Sequence, residues 1–179
     1  MNKSLLAPLF LVGLLVGCSS TPPPAPDVKD GVRSALDARG LKDVAVAQDR
    51  DKGVVTLTGK VASEAQKTEA ASVTQTIAGA QVVANQIEVA PPGMEGMAAD
   101  INDAMDDGIN SNMKAELIRI RANDDVSYSV KSAVVTLKGT VASQARRAEV
   151  EKAAAAVANV KQVVNELEVK GQKATTSGS

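Results

Sequence analysis

The 179-residue chain contains no histidine and no tryptophan, and it has only one cysteine, one tyrosine and one phenylalanine. Histidine and cysteine supply most zinc ligands and the working groups of hydrolytic triads, so a metal site and such an active site are both disfavoured. The sequence also shows no phosphate-binding loop, and the aromatic side chains on which nucleic-acid bases stack are missing. We therefore predict a protein that is not an enzyme, with no metal, no cofactor and no nucleic-acid partner.

The first residues have the parts of a bacterial export signal. Lys3 supplies the positive charge, residues 5–16 are almost entirely apolar, and the segment ends in Leu-Val-Gly-Cys at residues 15–18. This tetrapeptide resembles a lipobox at all four positions, which implies that Cys18 is acylated and anchors the chain in a membrane. The alternatives are an ordinary secretory signal with a chance cysteine and an uncleaved anchor, although the apolar run is short for a membrane span.

The residues after the cysteine predict the membrane to which the acylated chain is sorted. Ser19 and Ser20 follow Cys18, with no aspartate at the next position. By similarity to proteobacterial sorting signals, this favours the outer membrane, with the folded part facing the periplasm. Residues 21–26, Thr-Pro-Pro-Pro-Ala-Pro, form a stiff tether, because proline-rich segments are extended.

Most of the remaining sequence consists of two similar copies. Residues 53–89 align with residues 133–169 without a gap, and 15 of the 37 positions are identical. Upstream of this block the match continues only after a change of register, which predicts a shorter loop between the first two strands of the second copy. A repeat of this length indicates two copies of one structural unit.

Each copy has the same order of predicted elements. Apolar residues four apart predict a first helix through Val32 and Leu36, matched by Met113 and Leu117 in the second copy. Two alternating runs then predict a β-hairpin, a serine caps a second helix, and a final alternating run predicts a third strand. In the first copy Ser63 and Gln66 have the spacing of a capping box. The order is α-β-β-α-β.

This order, the sequence GVVTLTGKVAS before the second helix and the closing strand VVANQIEV resemble the BON domain family. The pair of copies resembles the dual-BON-domain outer-membrane lipoproteins of Gram-negative bacteria. The resemblance implies an α+β fold of two tandem small domains, each with two helices packed on a three-stranded mixed sheet. It also implies a periplasmic role in outer-membrane integrity, with phospholipid binding as the activity proposed for the family.

We divide the chain at changes in composition. The predicted parts are a lipoprotein signal peptide at 1–17, the lipidated cysteine and proline-rich tether at 18–26, a first BON-like domain at 27–90, a linker at 91–99, a second BON-like domain at 100–170 and a flexible tail at 171–179. Four aspartates fall between Asp100 and Asp107, and a Gly108 follows that interrupts the helical pattern. The aspartates are interpreted either as a solvated helix start or as a contact for a cation or a basic partner.

The charge counts indicate that the second domain is the basic one. Residues 27–90 carry a net charge of −1, whereas residues 113–170 carry +3. Anionic headgroups are attracted to such clusters and to helix N-termini. The candidate headgroup contacts are Lys114, Arg119, Arg121, Arg146 and Arg147. The alternative is an ordinary solvated surface with local acidic partners.

Five further residues are assigned structural roles. Asn85 and Asn165 share the alternation of buried valines and are expected to bond to nearby backbone rather than to a ligand. Gly59 and Gly139 are expected at a bulge or at a point of close packing under a helix. Tyr128 is expected to be a core residue with its hydroxyl at the edge, or alternatively an anchor at the lipid interface.

Two functions remain compatible with these features. The first is a lipoprotein that binds anionic phospholipid through its second domain and supports outer-membrane integrity. The second is a periplasmic scaffold that binds an envelope protein through helix faces such as those of Met113 and Ile118, or through strand edges.

Overall fold

The computed structural model describes residues 23–171 and the backbone of residues 177–178. The described helices are α1 (Lys29–Ala38), α2 (Glu64–Ala78), α3 (Glu95–Arg119) and α4 (Gln144–Ala155). The described strands are β1 (Val44–Asp49), β2 (Val54–Val61), β3 (Val82–Val89), β4 (Val126–Lys131), β5 (Val134–Val141), β6 (Gln162–Val169) and β7 (Ser177–Gly178). The predicted order α-β-β-α-β is therefore present twice.

Both sheets have the same topology. β1 pairs antiparallel with β2, which pairs parallel with β3, and β4, β5 and β6 repeat this arrangement. A helical crossover connects each parallel pair, as such a pair requires. The fold prediction is confirmed: two tandem α+β domains, each with two helices on a three-stranded mixed sheet. The short strand β7 adds to the free edge of β6, within the segment predicted to be a tail.

Each domain has a core of its own between its helices and its sheet. The predicted four-residue spacing is confirmed, because Val32 and Leu36 of α1 are fully buried, as are Met113 and Leu117 of α3. Burial of one such side chain contributes about 1.5–3 kcal/mol. The cores consist of aliphatic residues from all three main strands and both helices, so the core between helices and sheet in each domain needs no residue of the other domain.

Serine side chains start the second helix of each domain. Ser63 Oγ accepts a hydrogen bond from the backbone N–H of Gln66 at 3.3 Å, and Gln66 Oε1 accepts one from the backbone N–H of Ala62 at 2.8 Å. The predicted capping box is present, with the glutamine reaching one residue further back than in the usual motif. Ser143 Oγ likewise accepts from the backbone N–H of Arg146 at 3.2 Å.

Gly59 and Gly139 lie where two strands approach closely. Their φ angles are 119° and 132°, in the range that side-chain-bearing residues rarely adopt. A Cβ added at either glycine would overlap a backbone carbonyl oxygen, that of Asp43 in the first domain and that of Asp125 in the second. The structural role was predicted, but the close neighbour is the backbone leading into the paired strand rather than a helix.

The two hairpins differ in length, as the change of register predicts. Residues 50–53 connect β1 to β2, and only Ser132 and Ala133 connect β4 to β5. Ser132 and Ala133 have φ angles of 50° and 64°, as in the two-residue turns that suit the twist of a hairpin. Serine and alanine are unusual here, because such turns favour glycine and asparagine.

Asp106 of α3 stabilises this turn. Its two carboxylate oxygens accept hydrogen bonds from the backbone N–H groups of Ser132 and Ala133, both at 2.8 Å, and the residue is 9% exposed. The four aspartates therefore differ in role: Asp106 is buried and bonded to the turn, whereas Asp100, Asp103 and Asp107 are exposed. One of the four predicted acidic residues is therefore part of the fold.

Replacing Asp106 with alanine is expected to lower the free energy of unfolding by about 2–3 kcal/mol, because two buried N–H groups lose a charged acceptor. Urea denaturation measures the change. Asp103→Ala removes an exposed carboxylate one helical turn away and is expected to stay within about 0.5 kcal/mol of the wild type. Equal effects of the two substitutions would contradict this role for Asp106.

Helix α3 is longer than the sequence pattern indicates. It runs without a break from Glu95 through Gly108 to Arg119, so the interruption expected at Gly108 is absent and residues 95–99 of the predicted linker are helical. The Pro91-Pro92-Gly93 segment, with Gly93 at a φ of 82°, separates β3 from this helix. Only a short irregular connection therefore joins the two domains.

The domains pack on each other through the sheet faces that point away from the helices. Val54, Ala84, Val134 and Val164 are at most 3% exposed and form one apolar cluster, with Val82 beside it. Val54 corresponds to Val134, and Ala84 to Val164, at the offset of the repeat. Equivalent positions of the two copies thus meet, as in a two-fold symmetric dimer interface.

Ion pairs flank this apolar cluster. Lys52 Nζ lies 2.6 Å from Glu166 Oε2, and Lys131 Nζ lies 2.6 Å from Glu88 Oε1. In both cases the hydrogen bond to the partner carboxylate is the largest cause of a raised lysine pKa. Since the charged form of each lysine is the one favoured, both pairs link the domains at neutral pH.

Backbone groups of β3 also contact the second domain. Gln162 Nε2 donates to the carbonyl oxygen of Val83 at 2.7 Å, and Gln162 Oε1 accepts from the backbone N–H of Asn85 at 3.1 Å. Ser132 Oγ donates to the carbonyl oxygen of Gln86 at 3.1 Å. A glutamine amide thereby satisfies part of a strand edge that would otherwise expose unpaired backbone.

Candidate functional site

Most of the predicted headgroup contacts lie at one end of the second domain. Lys114 and Arg119 are exposed on the last turns of α3, Arg121 is exposed directly after it, and Arg146 is in the first turn of α4. We call Lys114, Arg119 and Arg121 the basic end of α3. It lies C-terminal to Asp106, whose carboxylate contacts the turn that faces the first domain; Lys114 is about 12 Å and Arg121 about 22 Å further along the helix direction.

Arg147 does not belong to this surface. It is 8% exposed, and its guanidinium donates to the carbonyl oxygens of Leu167 at 3.0 Å and Asn165 at 2.8 Å. The prediction that Arg147 contacts lipid headgroups is wrong, because its charged group is turned inward and held by the sheet. Its position in the first turn of a helix gave no sign of this.

Arg146 has mainly a structural role. Its side chain is 25% exposed, pairs with Glu149 at 2.8 Å, and donates to the carbonyl oxygens of Ile120 and, at 2.8 Å, Arg121. These carbonyls follow the C-terminus of α3, where the helix dipole favours a cation. The expected cost of a cation at the start of α4 is therefore offset by a favourable position at the end of α3.

The three residues of the basic end are not equally available for contact with an anionic ligand. Arg119 donates twice to Glu116, at 2.6 and 2.8 Å, and this pairing raises the pKa of Arg119 and lowers that of Glu116. Across residues 23–171, the side chains of Lys114 and Arg121 form neither a hydrogen bond nor an ion pair with another described residue. Lys114 and Arg121 are the uncompensated cations of this end.

The second domain as a whole is not basic. Because α3 is continuous from Glu95, the carboxylates in its first half belong to the same domain and bring the net charge of residues 95–170 to −2. The interpretation of a basic second domain is therefore corrected to a basic end. The helix changes sign along its length, from an acidic first half to a cationic C-terminus.

The remaining assigned residues have structural partners. Asn85 Nδ2 donates to the carbonyl oxygen of Lys67, and the fully buried Asn165 donates to Glu151 at 2.8 Å. Both asparagine oxygens also accept a backbone N–H two residues ahead. Tyr128 packs against the second core and donates its hydroxyl to the carbonyl oxygen of Asn110 at 2.9 Å, while burial raises its pKa. Its core placement is thus confirmed.

Cys18, the predicted acylation site, and the signal peptide lie outside the described residues. The end of the tether is placed, however, because Ala25 and Arg50 exchange two hydrogen bonds of 2.8 Å, one of them from the Arg50 side chain. Gln48 and Gln81 both donate to the carbonyl oxygen of Pro26. The chain thus enters the first domain beside its β1–β2 hairpin.

Two other kinds of site are absent from the described part of the chain. No three histidine, cysteine, aspartate or glutamate side chains there come together as metal ligands would. None of the described helices combines the length and the apolar character needed to cross a bilayer.

The fold is a tandem of two α-β-β-α-β units with exposed cations near the C-terminus of α3 in the second unit. Residues 26–91 and 105–171 match the BON domain family. The chain is 35% identical to "Osmotically-inducible protein Y" of Escherichia coli (strain K12) over 142 residues, 78% of this chain and 69% of that protein. The chain therefore belongs to the BON domain family, as its sequence pattern predicted.

Solved structures give a weaker likeness. A structure of CdsD, described as a structural protein of the type III secretion system of Chlamydia trachomatis, matches 79% of this chain and 60% of that chain at 11% identity, with a TM-score of 0.34. A second structure, of the CdsD C-terminal domain, matches at a TM-score of 0.33, and the match covers 79% of this chain and 66% of the CdsD chain. These scores are too low to indicate a shared arrangement of the whole chain.

Proposed function

We propose that the chain is a non-enzymatic lipoprotein of the bacterial outer membrane. In this proposal acylated Cys18 anchors it on the periplasmic side, the basic end of α3 contacts anionic phospholipid headgroups, and the contact supports outer-membrane integrity. The observation that carries the proposal is the pair Lys114 and Arg121, two exposed cations without partners in the described structure, at the C-terminal end of α3 and away from the Asp106 contact with the junction turn.

The tether supports the same arrangement. Since Ala25 is hydrogen-bonded to the first domain, seven residues of sequence, 18–24, separate it from the start of the acylated segment at Cys18. Seven residues reach at most about 25 Å when fully extended. Both domains are then held close to the bilayer, where even a weak headgroup contact is occupied because the local concentration of lipid is high.

Replacing Lys114 and Arg121 by glutamine is expected to weaken binding to anionic vesicles. Each cation near an anionic surface contributes about 1 kcal/mol, so the double variant should bind roughly thirtyfold more weakly. Sedimentation of the unlipidated chain from residue 23 with phosphatidylglycerol-containing vesicles measures this at low and high salt. Arg146 and Arg147 are left unchanged, because their substitution would disturb the fold.

The matched control removes two positive charges elsewhere. Lys29 and Lys42 of the first domain are exposed, so Lys29→Gln with Lys42→Gln makes the same change in net charge. This control is expected to sediment like the wild type. Equal loss in both double variants would indicate a response to net charge alone, and binding that is unchanged in the Lys114 and Arg121 variant would contradict the proposed contact.

One observation favours the scaffold as a second candidate. Met94, Met97 and Ile101, at the start of α3, are 55–63% exposed and follow one another at helical spacing. The scaffold hypothesis had placed Met113 on the binding face, and this is wrong because Met113 is fully buried, whereas Ile118 is 54% exposed. An absence of vesicle binding in the experiment above would favour an envelope protein as the partner.

A further inference from the structure

A polar cleft opens between the two domains, away from the basic end of α3. It has a volume of about 340 Å³. Its lining residues are Lys67 and Asn85 of the first domain and Ser132, Val134, Lys161 and Gln162 of the second. Because each domain supplies part of the wall, the cleft exists only when the two sheets are packed together.

Two lysines give the cleft its charge. Lys67, on α2, is half-buried, and over residues 23–171 its ammonium group forms no hydrogen bond or ion pair with a described residue. Lys161, just before β6, lies 3.7 Å from Glu64 in an exposed pair of the kind that contributes little. A half-buried cation without a partner costs free energy, and a second cation beside it adds to that cost.

The carboxylates around Lys67 do not compensate it. Glu64, Glu88 and Asp106 all act to raise its pKa, yet the pKa is lowered, first by burial and then by Lys161. Both carboxylate oxygens of Asp106 accept hydrogen bonds from the backbone of the Ser132–Ala133 turn. Glu88 is 2.6 Å from the ammonium of Lys131. The charge of Lys67 is therefore left without a committed partner at the wall of the cleft.

The other polar groups of the wall are already bonded to protein. The Gln162 amide is held by β3, Ser132 donates to Gln86, and the Asn85 amide donates to Lys67 backbone. The charged donors that face a ligand in the cleft are the ammonium groups of Lys67 and Lys161. Two point charges with several rotatable N–H donors suit an anion that carries several acceptor oxygens, as phosphate does.

We propose that the interdomain cleft between Lys67 and Lys161 binds a small phosphate or phosphomonoester anion. The anion supplies the charge that the lysines lack and bridges α2 of the first domain to the start of β6 in the second. Occupation of the cleft therefore also stabilises the junction. Binding weakens as the pH rises through the pKa of Lys67, because the ammonium form is the one that holds the anion.

The test uses the chain from residue 18 with Cys18→Ser and inorganic phosphate as the probe. Phosphate is expected to shift the side-chain NMR signals of Lys67 and to raise its pKa, since a bound anion favours the charged form. Lys67→Gln and Lys161→Gln should each weaken phosphate binding roughly tenfold or more. Lys42→Gln, which removes an exposed lysine of the first domain, should leave it unchanged.

A parallel titration with vesicles that contain phosphatidic acid, whose headgroup is a phosphomonoester, identifies the source of the phosphate. If Lys67→Gln loses vesicle sedimentation as well as phosphate binding, the cleft holds a lipid headgroup, and if sedimentation is unchanged it holds a soluble anion. The proposal is overturned if millimolar phosphate leaves the Lys67 signals and pKa unaltered, or if the phosphate response persists in both lysine variants. The Lys114 and Arg121 double variant should keep its phosphate response, so failure of the membrane contact can be told apart from failure of this site.

Discussion

Replacing Gly139 with alanine is expected to unfold the second domain at a temperature at least about 12 °C below that of the wild type, since positive-φ strain and steric overlap together cost about 3 kcal/mol. The φ of Gly139 is 132°, and the new methyl group would overlap the carbonyl oxygen of Asp125. Neither atom can move away easily, because Gly139 lies in β5 and Asp125 directly precedes Val126, which pairs with Gly139. Gly59→Ala should have the same effect on the first domain, where Asp43 supplies the oxygen.

Gly108→Ala is the matched control in the same domain. Gly108 is exposed within α3, and nothing lies within 4 Å of a Cβ placed there. Alanine should therefore raise stability by about 0.5–1 kcal/mol, because glycine is the poorer helix former. Calorimetry or thermal circular dichroism of the three variants measures the contrast. A Gly139→Ala protein as stable as Gly108→Ala would show that the strands are not as close as described.

Val164→Asp is expected to separate the two domains without unfolding either. Val164 is fully buried in the junction cluster with Val54, Ala84 and Val134, and a carboxylate there would have no partner within the cluster. Burying such a charge costs several kcal/mol, so separation of the sheets is the less costly response. Each domain keeps its own core on the other face of its sheet.

Distances between spin labels at Lys42 and Lys152, both exposed and in different domains, report the separation. The wild type and the control Val164→Ala should give one narrow distribution, because an apolar side chain is kept at the junction. Val164→Asp should give a broad distribution while its backbone NMR spectrum keeps the dispersion of a folded protein. A narrow distribution for Val164→Asp would contradict the packed junction, and loss of dispersion would contradict the independence of the cores.

The fold could be predicted because its signals are local or repeated. Helical spacing, alternating strands and serine caps are each read within a few residues, and the duplication fixed the length difference of the hairpins. Gly108 was misleading, because a single glycine in a helix costs only about 1 kcal/mol and the flanking contacts of α3 outweigh it. The junction does have a signal in the sequence, since Val54-Val55 and Val163-Val164 place apolar side chains on both faces of their strands.

The candidate site was predicted only in part, because a charge count does not say where a side chain points. Lys114, Arg119 and Arg121 are at the surface, but Arg146 and Arg147 bond to carbonyl groups that are distant in sequence. Only the packing of α4 against α3 and β6 brings these groups together. The sequence around Lys67 likewise does not indicate its burial, since that burial depends on a junction between the two copies.

The most direct test of the proposed membrane contact is an NMR map of the chain on anionic nanodiscs that contain a spin-labelled phospholipid. If the basic end of α3 contacts headgroups, the label broadens the backbone signals of residues 114–121 and the neighbouring start of α4. Lys114→Gln with Arg121→Gln then removes the broadening. Broadening centred on Met94 and Ile101, or no broadening at any residue, would contradict the proposed contact.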